Sequence, residues 1–103
     1  MSTVDDVRGI LRKIPRGVVF DSHFVIWQLN KGGRYTLATE RFVRGRMPTE
    51  RAHGYIAQVI RDFAERGELI ERMQDLHGRL QSWSLNMRFT PSRCSIWRRM
   101  DAD

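Results

Sequence analysis

Cysteine occurs once in this chain of 103 residues, at Cys94. A lone thiol excludes an internal disulfide and any cysteine-rich zinc site within one chain. Lysine is nearly as scarce: of the 18 Lys and Arg residues only Lys13 and Lys31 are lysine. No hydrophobic run approaches the ~20 residues needed to cross a bilayer. The opening Met1–Asp6 is polar and acidic, unlike a secretory leader. A cytoplasmic protein with no membrane partner is the expectation. Neither an internal repeat nor a low-complexity tract is present.

The chemistry-bearing residues show equally little catalytic patterning. His23, His53 and His77 have no metal-ligand spacing, and His53 has no histidine four residues on. Gly32 and Gly33 lack the spaced glycines and the following Lys-Ser or Lys-Thr of a phosphate loop, so they read as helix terminators. Asp21, Ser22 and His23 are consecutive, but a catalytic triad needs convergence in space, and helix capping accounts for them better. We therefore expect no enzymatic activity, no cofactor, no metal and no identifiable small-molecule pocket.

What the chain does have is an ordinary globular balance, 41% hydrophobic and 29% charged. Folding alone, a domain of this length buries roughly 60–70% of its unfolded surface, enough for one core. The formal net charge is +6 and the pI about 10.7. Arginine's planar fork pairs bidentately with phosphate and with guanine edges, so this balance suits a nucleic-acid partner. A high-GC genome would also raise arginine content with no functional meaning.

The clearest pattern lies between Thr49 and Arg66. At a rotation of roughly 100° per residue, Ala52, Ile56, Val59, Ile60 and Phe63 form one stripe, with Tyr55 at its edge. Arg51, Gly54, Gln58, Arg61, Asp62 and Glu65 form the opposite, outward stripe. Pro48 and Thr49 suit the entry, with Thr49 as the cap, and Gly67 suits the left-handed residue after the last turn. The outward charge is uneven, basic early and acidic at Asp62 and Glu65. An anionic groove would thus accept the first half and repel the last turn.

Elsewhere Thr3 and Asp6 offer an imperfect capping box for a helix carrying Val7, Ile10, Leu11 and Ile14, ended by Pro15 and Gly17. This helix either packs over the domain or mediates self-association. A second, very apolar helix is expected from Ser22 to Lys31. Tyr35, Thr36 and Leu37 suit a short edge strand, and Thr39 caps a brief helix through Arg44, followed by a turn at Gly45–Pro48. After Gly67 the period becomes two: Trp83, Leu85, Met87 and Phe89 alternate with Ser82, Ser84, Asn86 and Arg88, which predicts a half-buried strand. Its expected partner is Glu68–Gln74, joined through a hairpin loop over Asp75–Arg79.

Helix, short strand, helix, turn, helix, strand, wing, strand resembles the winged-helix superfamily over about residues 18–89. The resemblance implies an α+β, mainly α fold: a winged helix-turn-helix of three helices and a C-terminal hairpin wing, plus an extra N-terminal helix. Residues 1–17 would be an accessory helix, 18–89 the winged-helix domain, and 90–103 a basic tail.

On that reading Thr49, Arg51, Gly54, Gln58 and Arg61 face the major groove of double-stranded DNA. Arg51 and Arg61 would reach guanine edges or phosphates and Gln58 an adenine, while Gly54 would admit close backbone approach. Arg41, Arg44 and Arg46 would contact the DNA backbone, and His77 and Arg79 would sit at the wing tip. In the tail, Arg93, Arg98 and Arg99 with Trp97 would embrace nucleic acid, unless Ile96 and Trp97 tuck back onto the core. The expected function is a transcriptional regulator or DNA-architectural factor. The alternative is a winged-helix protein-interaction module, such as a phage or mobile-element accessory protein, with a homodimer or protein partner. RNA is a weaker third expectation, because the chain lacks the aromatic sheet motif or clamp loop of common RNA modules.

Overall fold

The computed structural model describes residues 2–35, 45, 48–87 and 89–100. Over these it is an α+β domain with three helices and antiparallel strands. Helix α1 (Thr3–Lys13) starts one residue earlier than expected. Ser2 is its cap: the Ser2 hydroxyl accepts from the Asp5 amide and the Asp5 carboxylate accepts from the Ser2 amide, which completes a capping box. Strand β1 (Val19–Asp21) runs directly into helix α2 (Ser22–Lys31), because the Asp21 carboxylate accepts the Phe24 amide at 2.8 Å and caps the first turn. Gly33, at φ +75°, closes that helix.

Helix α3 (Pro48–Glu65) carries the long amphipathic pattern. The expected stripe of Ala52, Ile56, Val59, Ile60 and Phe63 is buried. The helix begins at Pro48, so Thr49 lies within its first turn rather than capping it. At its end Gly67 adopts φ +68°. The Gly67 amide donates to the Ala64 carbonyl and the Glu68 amide to the Phe63 carbonyl, which satisfies two of the orphaned carbonyls of the last turn. Phe63 lies between the guanidiniums of Arg8 and Arg66, at 5.2 and 4.7 Å from its ring centre. Arg8 also pairs with Glu68 at 2.8 Å, tying α1 to the exit of α3.

The remaining strands are β2 (Ile70–Arg72), β3 (Gln74–Asp75), β4 (Gly78–Arg79), β5 (Gln81–Leu85) and β6 (Pro91–Arg99). Strand β6 is central: β1 pairs with one side of its second half (Phe20 opposite Trp97), β2 with the other side (Arg72 opposite Trp97), and β5 with its first half (Trp83 opposite Arg93). Both β2 and β5 run antiparallel to β6, so they form one interrupted strand from which Gln74–Leu80 protrudes as a miniature hairpin. The Leu80 amide donates to the Met73 carbonyl and closes the neck of that excursion.

Four expectations are corrected here. Residues 90–103 were expected as a tail, yet 91–99 make the middle strand, with Trp97 buried and its Nε1–H donated to Ser22 Oγ at 2.9 Å. Asp75–Arg79 was expected to join the two wing strands. It is instead the loop of the excursion, and the main hairpin turns at Asn86–Thr90. The edge strand is Val19–Asp21; Tyr35 is helical, and Thr36 and Leu37 lie outside the described residues, as do the brief helix Thr39–Arg44 and Arg88. Nor is α1 an accessory. Val7, Leu11 and Ile14 belong to the same buried cluster as Leu29, Ile60, Phe63 and Ile70. An apolar stripe of that size is stable only when covered.

Candidate nucleic-acid interface

The outward stripe of α3 falls where the sequence put it. Arg51, Gly54 and Gln58 are exposed, while Thr49 and Arg61 are half-buried. A Cβ at Gly54 would meet no atom within 4 Å, so the helix surface is open there. Gln58 is engaged at both ends: its amide donates to Asp62 at 2.8 Å and its carbonyl oxygen accepts from Arg61 at 3.3 Å. An adenine edge would have to displace this local network, so Gln58 is not a free reader.

Arg61 leads from the helix to the sheet. Arg72, on β2, lies over the Trp97 ring at 5.0 Å and donates to Ser95 Oγ from its partner strand. Burial depresses the Arg72 pKa first, and the nearby positive charges of Arg79 and Arg61 depress it further. The Nε atoms of Arg61 and Arg72 are both buried and have no hydrogen-bond partner. Arg79 is exposed, opposite Gln74 in the miniature hairpin. His77 is exposed as well, its amide bonded to Asp75 Oδ1 in a tight local turn. Arg72 went unrecognised in the sequence because nothing local marks it; only the register opposite Trp97 sets its guanidinium over that ring.

The proposed tail residues separate. Arg93 is exposed and lies 5.7 Å from the ring centre of Trp83 on the paired strand. Arg98 is held by Glu71 at 2.6 Å. Arg99 is 3% exposed and donates to the carbonyls of Leu11, Leu69 and Met100, so it is a structural residue and cannot touch a nucleic acid. Arg41, Arg44 and Arg46 lie outside the described residues.

The β5–β6 hairpin presents the opposite face from the one expected. Trp83 is 66% and Phe89 72% exposed, with Leu85 also outward. The serine face turns inward because it meets the polar start of α2. Ser82 Oγ donates to Asp21 at 2.8 Å, and His23 is held between Ser84 (2.7 Å) and Ser92 (3.3 Å). Asp21, Ser22 and His23 thus make three separate contacts. Burial alone would raise the Asp21 carboxyl, but the Phe24 amide and the Ser82 and Ser84 hydroxyls outweigh it and hold it below the ordinary carboxylate value. Burial pushes the neighbouring Cys94 thiol up, away from the reactive thiolate. On α3, His53 Nε2 meets the Tyr35 hydroxyl at 2.8 Å.

The sequence offered no small-molecule pocket, yet a groove of about 830 Å³ lies between α1, β1 and α2, lined by Ile10, Ile14, Val18, Phe20 and Phe24. It is built from segments distant in sequence. Among the described residues no group of histidine, cysteine or carboxylate side chains could hold a metal ion, and no helix is long and apolar enough to cross a membrane. Comparison of the chain with protein-family models, with curated proteins and with solved structures finds no match for it.

Proposed function

We propose that this chain is a small winged-helix protein that lays the outward face of α3 against double-stranded DNA, as a transcriptional regulator or DNA-architectural factor. The observation that carries this reading is the basic and polar face of α3, with Arg51, Gly54 and Gln58 exposed and Arg61 half-buried at its end. Such a track gives a polyanion several phosphate partners along one surface. Among the described residues the element order supports the fold: α1, β1, α2, α3, β2 and the β5–β6 hairpin follow the winged-helix sequence of elements once α1 is taken as its first helix.

The test is fluorescence anisotropy with mixed-sequence duplex DNA across a salt series. Several phosphate contacts, each contributing about −0.9 to the slope of log K against log salt, give a steep dependence. Reversing charge at Arg51 and Arg61 together should abolish binding; unchanged affinity in that variant would remove α3 from the interface.

The exposed Trp83, Leu85 and Phe89 favour a second reading, a protein-interaction module on the same fold. It would be supported by a stoichiometric complex that survives nuclease treatment and is lost in Trp83→Ser.

A further inference from the structure

The two faces of the β5–β6 hairpin are built differently. The inner face is bolted to the start of α2 through Ser82, Ser84 and Ser92. The outer face carries Trp83 and Leu85 on β5, in register with Arg93 and Pro91 on β6, and all four are exposed. The Arg93 guanidinium lies over the Trp83 ring at 5.7 Å from its centre. An indole with a planar cation beside it gives another flat ring a surface to lie on, and gives a charged linker between such rings a counter-ion.

The turn of the hairpin displays a second ring. The Phe89 amide donates to the Asn86 carbonyl and the Asn86 amide to the Thr90 carbonyl, which leaves Phe89 at φ +60°. That is the left-handed position glycine ordinarily takes in a three-residue hairpin loop. Burial does not offset the strain, because most of the Phe89 side chain is exposed. The ring is nevertheless held: it meets Trp27 edge to face at 5.3 Å, and the Trp27 Nε1–H is itself fixed on the Leu85 carbonyl at 3.1 Å. Rings positioned in advance lose little freedom when a ligand stacks on them. Charge separates the two kinds of partner such rings could take. From Leu76 to Met100 the chain contains no aspartate or glutamate, and all 12 of its carboxylate residues lie outside that segment. An apolar protein surface gains nothing from that exclusion, whereas a polyanion does.

We propose that the β5–β6 hairpin binds single-stranded DNA, one unpaired base stacking on Trp83 beside Arg93 and another on Phe89 at the turn. The stacking rests on the hairpin alone; its combination with a duplex rests on the α3 reading above. Every base has a flat face, so these platforms add affinity with little sequence preference. The preferred target is then a duplex that opens into a single strand, with α3 on the paired part and the hairpin on the unpaired part.

The experiment measures fluorescence anisotropy with a blunt duplex, the same duplex carrying an unpaired thymidine tail, and a thymidine oligonucleotide alone. Wild type should bind the tailed duplex at least tenfold more tightly than the blunt one. Trp83→Ala and Phe89→Gly should each lose about tenfold on the tailed duplex and leave the blunt duplex unchanged; glycine at 89 keeps the turn accessible. Trp83→Phe should retain most of the tail's effect. It should also remove the quenching of tryptophan emission that the oligonucleotide causes in wild type, because Trp27 is half-buried and Trp97 buried. Equal affinity of wild type for tailed and blunt duplex would overturn the proposal and leave the α3 reading standing, as would a tail effect that survives in both Trp83→Ala and Phe89→Gly. Binding of the oligonucleotide that is lost in those two variants, with no binding of blunt duplex, would support the hairpin site and sink the α3 reading. Binding of none of the three DNAs would overturn both and leave the exposed rings to a protein partner.

Discussion

Arg99 shows how the same side chain changes meaning with its surroundings. In sequence it stands beside Arg98 as part of a basic pair. In the fold it is sealed under α1, donating to the carbonyls of Leu11 and Leu69, which also accept the Ile14 and Met100 amides. Replacing it with Ala removes these charge-assisted hydrogen bonds and the one to Met100, each worth roughly 1.5–3 kcal/mol. Arg99→Ala should therefore lower the urea midpoint by an amount corresponding to several kcal/mol. DNA affinity measured where the variant is still folded should be unchanged. Leu69, a few residues past α3, carries another local cost. It adopts φ +69° with the Ile70 amide bonded to the Glu68 carbonyl, a tight γ-turn uncommon for a branched residue. Its side chain is fully buried in the core, and that burial holds the turn in place.

At the scale of elements, the end of α3 offers a clean test. Gly67 sits at φ +68° with open space where a Cβ would stand. The penalty for Gly67→Ala is thus conformational alone, about 1–2 kcal/mol, and should appear as a lower midpoint with an unchanged denaturant slope. That helix was also the most legible part of the chain. Its five apolar positions share one stripe, and its exit glycine has one conformational reason to be there. Strand β6 was not legible, because its environment changes along its length. Arg93 faces outward while Trp97 and Arg99 are enclosed, so no single alternation runs from Pro91 to Arg99. The inversion of β5 has a similar cause. Alternation in Ser82–Leu85 is real, but which face turns inward was decided by the polar start of α2, about 60 residues away in sequence. For the candidate site, the α3 stripe was readable, while the place of Arg72 over Trp97 depended on strand register.

For the molecule as a whole, carboxylates make folding sensitive to acid. The Arg8 guanidinium beside Glu68 lowers the Glu68 carboxyl, the Ser2 hydroxyl and amide lower Asp5, and Asp21 is lowered by the contacts described above. A carboxyl depressed in the folded state is the weaker proton binder there. As pH falls through the ordinary carboxylate range the unfolded chain takes up protons first, and stability drops. These contributions are complete above that range and are lost progressively as pH approaches the folded values. The melting temperature should therefore hold from pH 7 to about pH 5 and then decline. Asp21→Asn should soften that decline, and a melting temperature that rises on acidification would contradict the assignment.

The central place of β6 has a consequence for the order in which the protein can be made. The Trp97–Ser22 contact joins residues 75 positions apart, and both β1 and β2 find their partners only in the second half of β6. A ribosome releasing this chain sets free three amphipathic helices long before the strand that covers them. Until then the apolar faces of α1, α2 and α3 can meet only one another. Final closure is one late step in which Phe20, Ile70 and Trp97 come together, and loop-closure entropy makes it the slow one.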